Sequence, residues 1–110
     1  MPVPKMDAGS RAKPLAYDPA REKLIYYDEI VSGREAIVPV ETLSEADFRR
    51  LFVERLRAGP DFRMQAISGR LLTRDDVIAA VECGEPDVRR LIEAERSYLR
   101  GLLLEIQQAL

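Results

Sequence analysis

The stretch Pro86-Asp-Val-Arg-Arg-Leu-Ile-Glu-Ala-Glu-Arg-Ser-Tyr-Leu-Arg-Gly-Leu-Leu-Leu-Glu-Ile-Gln-Gln-Ala-Leu110 decides how this chain is read. Val88, Ile92, Leu99, Leu102, Leu103, Ile106 and Leu110 recur at spacings of three and four, so they share one face of a helix. Pro86 suits the first helical position, where a proline gives up no hydrogen bond. Asp87 complements the positive end of the helix dipole. The pattern predicts one long helix over 86–109. Its character changes at Gly101. Before it, Arg89, Arg90, Glu93, Arg96 and Arg100 keep the other faces wet. After it, Leu102, Leu103 and Leu104 together span about 200° of the circumference. One neighbouring element does not cover that much, so this end is either wrapped by its own domain or paired with a second chain. Glu95 and Arg96 interrupt the seam, which argues against a long coiled coil.

Upstream, Thr73 caps a helix over 74–83. Asp76 sits three residues on, Leu72 and Val77 form a staple pair, and Gly84 closes it. A second capped helix runs over 44–58. Ser44 is its cap, Leu43 and Phe48 its staple, and Gly59 and Pro60 end it. Its buried stripe is Phe48, Leu51, Phe52 and Leu56. Residues 61–67 are apolar without a decisive period and are assigned to a short helix, followed by a turn at Ser68-Gly69.

Residues 23–40 read as a β-hairpin. Lys23 to Val31 is rich in aromatic and β-branched residues, Ser32-Gly-Arg-Glu35 is the turn, and Ala36 to Val40 is the return strand, with Pro39 at an edge. Adjacent Tyr26 and Tyr27 then point to opposite faces, as do Asp28 and Glu29. Two strands alone are marginal in water, so the hairpin needs a helix, a third strand or another chain. Residues 1–20 contain four prolines and form an extended arm. The predicted fold is α+β: an arm, one hairpin and three to four helices, the last one long, with residues 21–110 as one small domain.

Composition narrows function more by exclusion than by assignment. The chain has 110 residues, 46% hydrophobic and 33% charged, the balance of a folded rather than a disordered protein. A net charge of −2 does not invite nucleic acid or an anionic membrane. The middle is basic, with Arg49, Arg50, Arg55, Arg57, Arg63, Arg70 and Arg74, and the pattern reads as a solvated, self-paired surface. Histidine is absent, and the single cysteine, Cys83, is expected to be buried and inert. No phosphate-cradling glycine loop, nucleophile elbow or calcium loop occurs. The expectation is therefore no catalytic, metal or cofactor site. With no apolar run near membrane length and no signal core, a cytoplasmic location is expected.

Segment 73–92 resembles a helix-turn-helix, with an alanine before a glycine turn and Arg89 and Arg90 on the second helix. Its register departs from that pattern: Arg90 and Glu93 occupy places where buried residues belong. Asp75, Asp76, Glu82, Glu85 and Asp87 also carry the wrong sign for phosphates. The favoured expectation is a protein-binding or assembly module, or an accessory subunit, whose partner is a second copy or a larger complex. Its candidate interface is Ile92, Leu99, Leu102, Leu103, Ile106 and Leu110, with Tyr26 and Tyr27. DNA binding through Arg89 and Arg90 is the alternative.

Overall fold

The computed structural model describes residues 5–110. In order, the elements are α1 (Ala8–Arg11), β1 (Pro14–Asp18), β2 (Lys23–Tyr26), α2 (Tyr27–Val31), a 3-10 turn (Val40–Thr42), α3 (Glu45–Ala58), β3 (Arg63–Gln65), β4 (Leu71–Thr73), α4 (Arg74–Cys83), a 3-10 turn (Pro86–Val88) and α5 (Arg89–Ala109). The class is α+β, as expected. Two two-stranded antiparallel sheets, β1–β2 and β3–β4, sit among the helices.

The capped helices lie where the sequence puts them. The Ser44 hydroxyl accepts from Asp47 N at 3.1 Å at the start of α3. At the start of α4, Asp76 N donates to Thr73 Oγ1 and Thr73 N donates to Asp76 Oδ2, a reciprocal capping box. Gly84 closes α4 at φ 70°, a left-handed conformation that glycine adopts without strain. Leu43 and Phe48, and Leu72 and Val77, are buried as staple pairs. Helix α3 is the hub: α4, α5 and β1 all pack on it. Phe48, Leu51, Phe52 and Val53 form its inner face.

The hairpin is displaced from its expected place. It is built from β1 and β2, with Tyr17 opposite Leu24 and Asp18 opposite Lys23, and its turn lies at 19–22. Asp18 Oδ1 accepts from Ala20 N at 3.0 Å and so shapes that turn. Residues 27–31, assigned to a strand, are instead helix α2. Glu29 Oε1 reaches back to accept from Tyr26 N at 3.1 Å, and this cap outweighs the β preference of the aromatic run. Residues 36–40 make no strand. Pro39 is extended, and its carbonyl accepts from both the backbone and the hydroxyl of Thr42, which starts a 3-10 turn.

The expected arm is largely structural. Asp7 caps α1, and Leu15, Ala16 and Tyr17 of β1 are core residues. The prolines are far enough apart to allow both elements, since none falls between residues 5 and 13. The arm's residues 1–4 lie outside the described chain. Residues 61–67 are not helical. Phe62, Met64 and Ala66 turn inward while Arg63, Gln65 and Ile67 face out, which is the two-residue period of a strand. Ala66 N donates to Arg70 O, and Gly69 at φ 91° closes the turn into β4. The long helix begins with one 3-10 turn at Pro86 before α5 proper. Cys83 is exposed, because α4 buries Val77, Ile78, Ala80 and Val81 and residue 83 falls on the far side.

Arg55, expected on the surface, is only 8% exposed. Its Nε donates to Glu95 Oε1 on α5 at 2.8 Å, and its Nη1 donates to the Pro14 carbonyl of β1 at 2.9 Å. One side chain therefore ties three elements together.

A second polar network closes the other end of the hairpin. Glu35 accepts from Arg21 at 2.6 Å and from Lys23 at 2.8 Å, while Arg21 also binds Asp18 and Lys23 also binds Glu29. The bonds from Arg21, then Lys23, hold the Glu35 carboxyl down at about 2. Asp18 is lowered chiefly by Arg21, and Glu29 chiefly by Lys23.

Two outcomes are expected. Arg55→Ala leaves Glu95 and the Pro14 carbonyl without their donor and destabilises the fold by about 2–3 kcal/mol in urea unfolding; Glu95 is partly wet, so the full cost of a broken buried pair does not apply. For Glu35, protonation occurs first in the unfolded chain, so its stabilising share is present above about pH 4.5 and is lost as pH falls toward about 2. Glu35→Gln flattens that part of the stability–pH curve, measured by denaturant midpoints at a series of pH values.

Candidate interaction surface

The expected interface residues separate into two groups. Ile92, Leu99, Leu103 and Ile106 are buried in the core that α5 shares with its own chain. Tyr27 is also buried, with the Arg11 guanidinium 5.5 Å from its ring centre. Leu102 and Tyr26 are half-buried. Leu110 is 64% exposed at the end of the helix. The turns after Gly101 are thus wrapped on one side only. Leu104, on the opposite flank from Leu102, is 53% exposed.

Beside Leu104 the chain forms a groove. Ile37, Pro39 and Val40 make one wall, Leu103 and Leu104 the other, and Glu41, Arg100 and Gln107 the polar rim. Its volume is about 160 Å³. The wall exists because Pro39 holds the chain extended and the Val40–Thr42 turn folds Val40 down into the core. Sequence reasoning missed this wall by giving residues 36–40 to a strand. The available signal was Pro39 followed by Thr42, a hydroxyl placed to bond three residues back.

Arg89 and Arg90 are exposed at the start of α5 and make no hydrogen bond or ion pair among the described residues. The neighbouring acids are occupied. Arg70 binds Glu85 at 2.9 Å and lies 3.6 Å from Asp87, which also accepts from the Ser68 hydroxyl. The β3–β4 turn is thereby tied to the α4–α5 corner.

The acidic pairs do not converge. Asp28 binds Arg11 and Glu29 binds Lys23. Asp76 is consumed by the cap of α4, and Asp75 is exposed beside Arg74. Among the described residues no group of three or more Cys, Asp or Glu is placed to hold a metal ion, and no helix is long and apolar enough to cross a membrane. Comparison with family models, with characterised proteins and with solved structures finds no match for this chain.

Proposed function

We propose that the chain is a non-catalytic interaction module, which associates with protein through the outer side and end of α5 and the adjoining wall at residues 37–41. The observation that carries this reading is the exposure of Leu104 in the wall of an apolar groove, with Leu110 exposed at the end of the same helix. Isolated exposed leucines are ordinary. Here Leu104 lines a concavity whose walls include Val40 and Leu103, and Leu110 is exposed farther along the same helix. At about 160 Å³ the concavity is well below the roughly 300–1,000 Å³ of small-molecule sites, and suits an inserted side chain better than a metabolite. The sequence also offers no histidine for acid–base work. Leu104→Asp is expected to weaken association by an order of magnitude or more while leaving the unfolding midpoint nearly unchanged, since the residue is half in water. Light scattering over a concentration series, together with pull-down from the native host, checks this. A wild-type chain that is monomeric and binds nothing would sink the proposal.

A second reading, DNA binding through α4 and α5, is favoured by one observation. Glu85 and Asp87 share the one charge of Arg70, while Arg89 and Arg90 have no partner among the described residues. Under this reading duplex DNA binds in low salt, the affinity falls steeply as salt rises, and Arg89→Ala with Arg90→Ala reduces the slope by about two counterions. Fluorescence anisotropy with labelled duplex tests it, and a flat response at low salt removes it.

A further inference from the structure

Helix α5 has one side that is exposed along its length. Arg90, Ala94, Ser97, Gly101 and Glu105 are exposed along it, and a side-chain carbon built at Gly101 meets no atom within 4 Å. Tyr98, 53% exposed, borders this side, with the Arg55 guanidinium 5.9 Å from its ring centre. Leu104, equally exposed, borders it on the other side. The ends of the strip carry opposite charges. Arg90 and Glu105 form no ion pair or hydrogen bond among the described residues, and they stand fifteen residues apart, about 22 Å along the helix.

That arrangement is self-complementary in one orientation. When two copies of the strip lie antiparallel about a two-fold axis near Tyr98, Arg90 of each meets Glu105 of the other. Ala94 then faces Gly101, where the missing side chain lets the backbones approach, and the two Tyr98 rings meet at the axis. A parallel pairing would place Arg90 against Arg90. We propose that the occupant of this face is a second copy of the chain, docked antiparallel through α5 in the register that pairs Arg90 with Glu105. This rests on the reading of the chain as an interaction module, and makes it an isologous dimer. The ion pairs set register and orientation more than strength, because exposed pairs are individually weak and screened by salt.

The test is sedimentation equilibrium of the full chain at low and high salt, for wild type, Arg90→Glu and the double variant Arg90→Glu/Glu105→Arg. The expected result is a wild-type dimer that weakens in salt. Arg90→Glu should raise its dissociation constant about tenfold, since both symmetry-related pairs reverse sign. The double variant should restore the wild-type value. Arg90 and Glu105 have no internal partner, so the fold is expected to survive, as circular dichroism will show. Failure of the double variant to restore association overturns the register. Association that responds to Leu104→Asp but not to the charge exchange, or a monomer that binds a different protein, overturns the pairing and leaves the interaction reading standing. A monomer that binds nothing overturns both.

Discussion

The buried guanidinium of Arg55 is the constraint that the arrangement of elements depends on. A charged group this far from water is tolerated only when its donors are met. Glu95 supplies the countercharge from α5 and Pro14 a carbonyl from β1. A planar fork meets two acceptors in fixed directions, which the point charge of a lysine cannot do. Once α3 is folded, the pair restricts where β1 and α5 sit, in orientation as well as distance. The apolar contacts around it supply most of the favourable free energy but little direction. Arg96 repeats the theme near the surface, bonding Glu45 while lying 4.7 Å over the Phe48 ring.

The rest of the molecule uses charge to close what the small core leaves open. The β1–β2 hairpin is fastened to the chain after α2 through Arg21, Lys23 and Glu35. The β3–β4 hairpin is fastened to the α4–α5 corner through Arg70. Two-stranded sheets are marginal alone, and each of these has a polar clasp as well as a helix beneath it. Most of the arginines that gave the middle of the sequence its basic look are spent in ion pairs within the chain. Among the described residues the arginines without an ion pair or hydrogen bond are Arg63 on β3 and Arg89, Arg90 and Arg100, which lie together on α5.

Helices α3 and α4 were legible because their ends are chemically explicit. Ser44 and Thr73 are caps with acidic partners three residues on, and Gly59 and Gly84 are stops. Nothing comparable marks the strands. The aromatic run at 24–27 is equally at home in a strand or at a helix start, and only the reach of Glu29 back to Tyr26 decides it. Residues 62–67 did carry a two-residue alternation, but over so short a span that the apolar content alone suggested helix. Arg55 was unreadable for a different reason. Its partners lie 40 and 41 residues away, so no local pattern distinguishes it from the solvated arginines around it. The proposed surface was legible in part. The apolar pattern pointed to α5, yet Ile92, Leu99, Leu103 and Ile106 face inward, and the exposed side of α5 is the one that pattern leaves out.

Gly101 divides α5 into two lengths with different anchorage. The first is held by Ile92, Leu99 and the Glu95–Arg55 bond. The second is held by Leu103 and Ile106, with the half-buried Leu102 beside them. An interior glycine weakens a helix by about 1 kcal/mol relative to alanine, and nothing packs against this one to compensate. The last two turns therefore form a separate unit of local opening. Their amide hydrogens will exchange with solvent well before those of residues 92–99, and binding at this end will register first as slowed exchange there.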